Sequence, residues 1–136
     1  MNRRWYLFPA TLTLTCAALG FADEATDEFA KLMKPAAAAN GAFQKTLQTD
    51  LTAAAAGAAE VKAKFHDIEE FWAKRGAADA QTFAKNIQEA ADKAAAAAKA
   101  GQKDEALAAA KQIGANCQGC HQAHRERTAD GAFKLK

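Results

Sequence analysis

Residues 51–72 read LTAAAAGAAEVKAKFHDIEEFW, and this stretch decides the fold. Its apolar side chains recur at every third or fourth residue, which is the spacing that keeps one face of an α-helix buried. Arg75-Gly76 closes the run. The pattern predicts a helix from Asp50 to about Lys74. The positions on its buried stripe are Leu51, Ala54, Ala58, Val61, Phe65, Ile68 and Trp72.

Three further segments repeat this spacing on either side of that stretch. The first offers Asp23 or Thr26 as a cap and contains Pro35, which either kinks the helix or marks a late beginning. In the third, we expect Asp79 to cap the start and Gly101 to end the helix in the left-handed conformation. Their stripes are Phe29, Met33, Ala36, Phe43 and Leu47; Phe83, Ile87, Ala90, Ala94 and Ala97; and, from about Asp104, Leu107, Ala110, Ile113, Cys117, Cys120 and His124.

Short links between these segments predict antiparallel neighbours, so residues 23–136 are expected to form one all-α domain, an antiparallel four-helix bundle. No segment alternates with period two, and we expect no strand. Alanine runs such as 53–56 and 94–98 are interpreted as close helix contacts, with an intermolecular coiled coil as the alternative. A core this rich in alanine is thin, and a bulky group inside it would supply the missing volume.

Residues 1–22 have the features of a secretory signal peptide. A positively charged start is followed by an apolar run that is shorter than the roughly 20 uninterrupted residues of a transmembrane helix. Small residues at its end suit a signal peptidase, so we expect cleavage after Ala22 and export to the periplasm. The alternatives are an uncleaved membrane anchor and lipidation at Cys16.

The charge balance gives no sign of a strongly basic protein. The chain has 18 Lys and Arg and 16 Asp and Glu, and two of the arginines, Arg3 and Arg4, lie in the predicted signal peptide. All acidic residues lie beyond it, so residues 23–136 carry 16 charges of each sign and no net charge. Composition therefore gives no reason to expect a nucleic acid or an anionic membrane as a partner after cleavage.

The motif Cys117-Gln-Gly-Cys120-His121 carries the chemistry. On a helix, positions i, i+3 and i+4 project two sulfurs and an imidazole from one face within about one 5.4 Å turn. Two thiols at this spacing can add to the vinyl groups of a porphyrin, and the histidine can bind its iron. The motif predicts covalent attachment of one haem c, with Cys117 and Cys120 as thioethers and His121 as the proximal iron ligand.

Three other sites use the same residues. A zinc site with His124 needs four donors within about 2.0–2.3 Å of one ion, yet Cys117 and His124 are roughly 10 Å apart along a helix axis. A thioredoxin-like dithiol lies at a helix N-terminus after a strand, whereas these cysteines come late in a helix. A structural disulfide leaves the adjacent histidine unexplained. The haem site is the preferred interpretation.

The sixth iron ligand decides between functions, and Met33 is the candidate. It lies on the buried stripe of the first helix, from which a bundle could bring its thioether across the haem from His121. Ordinary core packing is the alternative role for this methionine. His66 is a second candidate ligand but stands one position off the stripe of its helix. His124 is expected to cover the haem edge or to be solvated.

These residues resemble the class II c-type cytochromes, the cytochrome c prime group and its low-spin relatives. That family forms antiparallel four-helix bundles with CxxCH on the last helix, followed by an aromatic residue and an arginine, where this chain has His124 and Arg125. Its low-spin members present a methionine in a context that looks like residues 31–34. The resemblance implies Met33 as distal ligand and Arg125 as a partner of a haem propionate or the helix end. Phe29 stands where the family has a basic residue.

The expected function is therefore one-electron transfer by a periplasmic mono-haem c-type cytochrome with His/Met ligation. A five-coordinate haem that binds nitric oxide or carbon monoxide is the alternative. No paired general acid and base is evident, so we do not expect an enzyme. The resemblance also implies a possible homodimer, and the residues identify no redox partner.

Overall fold

In the computed structural model, the described residues are 18–136, with side chains from Glu24 onward. They form four helices, α1 (Ala18–Thr49), α2 (Leu51–Lys74), α3 (Ala78–Lys99) and α4 (Lys103–His124), and two strands, β1 (Arg125–Arg127) and β2 (Phe133–Leu135). Helical structure was predicted in all four places. None of these helices is long and apolar enough to cross a membrane. Residues 1–17 of the predicted signal peptide lie outside the described residues.

The ends of α2 and α3 agree with the sequence prediction, and two expected caps do not. Asp50 caps α2 by accepting from the Ala53 N–H (3.0 Å), a contact that the sequence prediction did not name. Gly101 follows α3 with a φ of 72°, as expected. Asp79 does not cap α3, because Ala77 holds that position and the Asp79 carboxylate pairs with His124 instead. Thr26 is not a cap either, since α1 already begins at Ala18 and Thr26 Oγ1 accepts from the Leu135 N–H.

Pro35 lies inside α1, which continues through it, so it does not mark the beginning of this helix. Consecutive helices pack against one another, α1 on α2, α2 on α3 and α3 on α4. Lysine and acidic side chains line the outside, and the described residues contain no buried charged side chain. The elements are thus held together by their apolar stripes, as the three-four spacing requires.

The core divides into two halves of different composition. In the alanine half, small side chains pack around a few large ones that are almost completely buried, Phe43, Leu47, Val61 and Ile113. Its alanines are Ala36, Ala39, Ala54, Ala55, Ala58, Ala90, Ala91, Ala94, Ala97, Ala98, Ala106, Ala109 and Ala110. The cysteine half is aromatic and less closed. It contains Phe29, Leu32, Met33, Phe65, Ile68, Phe71, Trp72, Ala80, Phe83, Ala84 and Cys117.

The expectation of no strand is wrong at the C-terminal end. Strands β1 and β2 pair antiparallel, with Arg125 opposite Leu135 and Arg127 opposite Phe133. The turn between them contains Gly131 with a φ of 85°, a conformation that glycine adopts without strain. Three-residue strands are too short for alternation to be visible in the sequence, and the Asp130-Gly131 dipeptide was the available turn signal.

Candidate functional site

Helix α4 places the three reactive side chains of the motif on one face. Cys117, Cys120 and His121 are each half-buried and line one narrow cavity of about 20 Å³ between the helices. The wall of this cavity is almost entirely apolar, and Phe29, Phe65 and Phe83 contribute aromatic rings to it. The remaining lining residues are Met33, Ile68, Ala80, Ala84 and Ile87. All four helices therefore meet around the motif.

Met33 of α1 is brought to the same cavity as Cys117, Cys120 and His121 of α4. It also lines a second, more open cavity of about 330 Å³, together with Phe29 and His121. The second cavity has a basic rim formed by Lys34, Arg125 and Lys134. Its other lining residues are Thr26, Ala30, Ala37, Phe133 and Leu135. Met33 and His121 thus border both spaces, one apolar and one that opens beneath cationic groups.

The environment suppresses ionisation of the motif's side chains. Burial raises the pKa of the Cys117 thiol, and burial together with the nearby Cys117 and Asp79 raises the pKa of Cys120 to about 11. Reactive dithiols have the opposite property, a thiol pKa lowered below its ordinary range. Burial, and then the positive charge of Arg125, lowers the pKa of His121. A neutral imidazole has the lone pair that a metal ion binds.

Arg125 does not extend α4 but begins β1, and its guanidinium lies over the Phe133 ring at 3.9 Å from the centroid. Its cationic group still borders the second cavity next to His121. This position is compatible with the predicted contact between Arg125 and a haem propionate, which stays a prediction.

The two other histidines lie outside the first cavity. His66 is 61% exposed and faces Glu70 at 3.6 Å, so the structure does not bring it to the motif. His124 is neither solvated nor on the cavity wall. Its ring packs against Trp72 with centroids 4.9 Å apart, and its Nε2 donates to Asp79 Oδ2 at 2.9 Å. Through these two contacts His124 joins α4 to α2 and α3. In the zinc alternative, the same residue would have been the fourth metal ligand.

Sequence reasoning missed the roles of Phe83 and of the hairpin. Phe83 packs against the motif so closely that a Cβ added at Gly119 would lie 2.7 Å from its Cε1 atom. Its place on the α3 stripe predicted burial, but spacing alone does not reveal which residue of another helix it touches. The hairpin contributes Phe133 and Leu135 to the second cavity, and no strand was expected there.

The donor set suits a haem better than a bare ion. Two thiols, an imidazole and a thioether border an apolar space with aromatic walls, which is the environment in which an iron porphyrin is held in helical bundles. Within residues 18–136, no three His, Cys, Asp or Glu side chains lie close enough together to hold a metal ion. The residues present therefore fit a covalently attached haem.

Comparison with protein-family models, curated proteins and solved structures gives no match for this chain.

Proposed function

We propose that this chain is a mono-haem c-type cytochrome that carries single electrons in the periplasm. The observation that carries the proposal is the meeting of Met33 with Cys117, Cys120 and His121 around one apolar cavity. The sequence supplied the haem motif, and the cavity adds a thioether from a helix that lies more than eighty residues earlier in the chain. Two thiols and two iron-binding groups are the complete set for a low-spin haem c.

Different residues would have different roles in holding the haem. Cys117 and Cys120 would form the two thioether bonds, and His121, whose lowered pKa keeps it neutral, would bind the iron. Met33 would supply the sixth ligand. The bound haem provides the one-electron ferric/ferrous couple. Phe29, Phe65 and Phe83 would exclude water from its faces, which reduces solvent reorganisation around the iron.

An antiparallel bundle is part of the proposal, and side-chain pairs between helices support it. Between α2 and α3, Lys62 pairs with Asp92 at 2.7 Å, whereas Glu69 accepts from Gln88 at 2.7 Å. Residue numbers increase along α2 where they decrease along α3, which is the pattern of antiparallel helices. Between α3 and α4, Asn86 pairs with Asn116 and Asp79 pairs with His124. The resemblance to class II cytochromes implies the same arrangement.

Electron transfer is favoured over gas binding because the Met33 thioether already borders the cavity that His121 lines. Two strong axial ligands change little between the oxidation states and leave no position for a substrate. The alternative, a five-coordinate haem that binds nitric oxide or carbon monoxide, draws support from the second cavity beside Met33, through which a small molecule could arrive. The predicted signal peptide, residues 1–22, supports the periplasmic location, and a homodimer is compatible with the proposal.

The decisive experiment is an optical spectrum of protein purified from the periplasm, oxidised and reduced, with and without carbon monoxide. Haem that remains attached after denaturation, a low-spin spectrum and no rapid response to carbon monoxide are expected. The Cys117→Ser/Cys120→Ser variant should lose the covalently attached haem. A high-spin ferrous form that takes up carbon monoxide at once would overturn electron transfer in favour of gas binding. Absence of covalent haem from the unmodified protein would overturn both.

The ligand is tested by Met33→Ala, with Leu32→Ala as the matched control. Both residues are half-buried and adjacent on α1, but only Met33 lines the two cavities. Met33→Ala should convert the spectrum from low-spin to high-spin, whereas Leu32→Ala should leave it low-spin. An unchanged spectrum in Met33→Ala would transfer the sixth position to another group.

A further inference from the structure

The C-terminal hairpin presents an exposed aromatic ring between two arginines. Phe133 is 48% exposed and is the large apolar side chain most open to solvent among the described residues. The guanidinium groups of Arg125 and Arg127 lie 3.9 Å and 5.4 Å from its centroid. We call these three residues the hairpin face. Aromatic rings and arginines are the residues that most often dominate the affinity of protein interfaces.

The hairpin face continues into a surface groove of about 540 Å³ that reaches the proposed haem motif. The groove is lined by Gln118, His121, Gln122, Arg125, Arg127 and Phe133. His121 is thus shared between this groove and the two cavities described above. A partner seated on the hairpin face would lie directly beside the proposed iron ligand.

The hairpin is also firmly attached to the bundle. The Leu135 N–H donates to Thr26 Oγ1 of α1 at 3.2 Å, and the Lys136 N–H donates to the His124 carbonyl at 3.0 Å. Leu135 packs against the core. A face held on both α1 and α4 is preorganised, which reduces the entropy that binding costs.

Charge distinguishes the hairpin from the rest of the chain. Residues 125–136 contain four basic and two acidic side chains, a formal charge of +2, whereas residues 23–124 contain 12 basic and 14 acidic ones, a formal charge of −2. Both acidic side chains of the hairpin are engaged within it. Glu126 pairs with Lys134 at 2.9 Å, and Asp130 accepts from the Thr128 hydroxyl. The arginines of the hairpin face therefore determine its potential.

We infer that the hairpin face is the docking site for an acidic redox protein, which exchanges electrons with the haem through the His121 side of the groove. The inference rests on the proposed function. A carboxylate-rich patch would meet Arg125 and Arg127, and an apolar contact would cover Phe133. Opposite charges guide such partners together and make the encounter rate depend strongly on salt. Transient electron-transfer contacts are small, and a three-residue centre is sufficient for one.

The test is voltammetry of the haem-loaded, full-length protein at a gold electrode coated with carboxylate-terminated thiols, which stand in for the acidic partner. Electron exchange should be fast at low salt, slower as salt rises, and weak on a trimethylammonium-terminated coating. Arg127→Glu should lower the low-salt rate by about tenfold. Phe133→Ala should lower it several-fold while keeping the salt dependence.

Lys111→Glu is the matched control, because it makes the same charge change on an exposed position of α4 that is ten residues before His121. Its rate should stay within about twofold of the unmodified protein, since charges farther away than a Debye length are screened. Equal losses in Arg127→Glu and Lys111→Glu would overturn the docking site. So would exchange that is equally fast on the cationic coating.

A third arm distinguishes a protein partner from a membrane. Sedimentation with phosphatidylglycerol vesicles should leave the protein in solution at physiological salt. Binding that is lost in Phe133→Ala and Arg127→Glu would assign the hairpin face to a lipid surface and overturn the docking proposal. Arg127→Glu and Lys111→Glu, which lie outside both cavities, should keep the spectrum of the unmodified protein. Absence of a haem wave from the unmodified protein would instead overturn the proposed function itself.

Discussion

The alanine half and the cysteine half of the bundle are built from the same helices but differ in how closely these helices pack. In the alanine half, small residues let the backbones approach so closely that a Cβ on Gly57 would lie 3.2 Å from the Phe43 Cα atom. In the cysteine half, aromatic side chains line the narrow first cavity, and the more open second cavity of about 330 Å³ lies beside it. Close packing leaves no room for a ligand, whereas rings around an incomplete core provide both room and an apolar wall.

This difference assigns the two halves separate roles. The alanine half holds the helices in register, and its large side chains are almost completely buried. The cysteine half leaves Met33, Cys117 and His121 half-buried along its cavities. A substitution in the first half should therefore change stability without changing the spectrum of the proposed haem, and one in the second should change both.

The largest expected effect is that of Phe43→Ala in the alanine half. Phe43 has no exposed surface, so its removal should leave a cavity and lower the free energy of unfolding by about 3–5 kcal/mol. Its haem spectrum should remain that of the unmodified protein. Phe65→Ala, at a cavity wall of the cysteine half, is the comparison and should alter the spectrum. The free energies of unfolding are measured by chemical denaturation, and the spectra are recorded on the same samples. Equal spectral changes in Phe43→Ala and Phe65→Ala would show that the two halves do not have separate roles.

How far the sequence predicts this division depends on the range of the interactions involved. The three-four spacing predicted the helices, because it is a local pattern. The Cys117–His121 motif predicted the chemical groups, since its residues are one turn apart. The cavity that joins Met33 to them depends on packing between α1 and α4, which no local pattern contains.

The errors in the sequence prediction have the same cause. Aspartate is a common capping residue, and Asp79 was therefore expected to cap α3. In the structure its carboxylate instead accepts a hydrogen bond from His124, 45 residues away. The hairpin has strands of three residues, and its pairing is stabilised by Arg125 and Arg127 stacked on Phe133. Such contacts between side chains override weak local preferences.

The second expected effect concerns thiol reactivity in haem-free protein, produced without residues 1–22, the predicted signal peptide. At pH 8, a pKa of about 11 rather than 9.0 leaves Cys120 with about one hundredth of the usual thiolate. Alkylation by iodoacetamide should therefore be about 100-fold slower than in urea. Because unfolded thiols ionise first, the folded state should also lose stability as the pH rises from about 9 to 11. Equal alkylation rates in a helical sample, verified by circular dichroism, would contradict the burial of this thiol.

The third expected effect is that of Gly119→Ala, compared with Gly114→Ala on the same helix. A Cβ at Gly119 meets the Phe83 ring at 2.7 Å, whereas one at Gly114 has no neighbour within 4 Å. Gly119→Ala should destabilise the protein by about 1–3 kcal/mol through overpacking. Gly114→Ala should be neutral or stabilising by about 0.5–1 kcal/mol, since alanine favours helix. Adding Phe83→Leu should relieve Gly119→Ala, and a failure to do so in thermal melts would remove Phe83 as the cause.

The smallest expected effect tests the pair that closes the cysteine half, Asp79 with His124. Although burial alone raises the pKa of Asp79, hydrogen bonds from the Ala80 N–H and from His124 bring it below 3.8. A carboxyl with a lowered native pKa stabilises the fold above its unfolded pKa, and this contribution is lost as the pH falls through the native value. Between pH 5 and pH 3, the unmodified protein should therefore lose more stability than Asp79→Asn. His124→Gln should reduce the same loss, and the double variant should add little, because the two residues act through one contact. Parallel acid denaturation curves for all four proteins would show that the pair contributes nothing to closing this half.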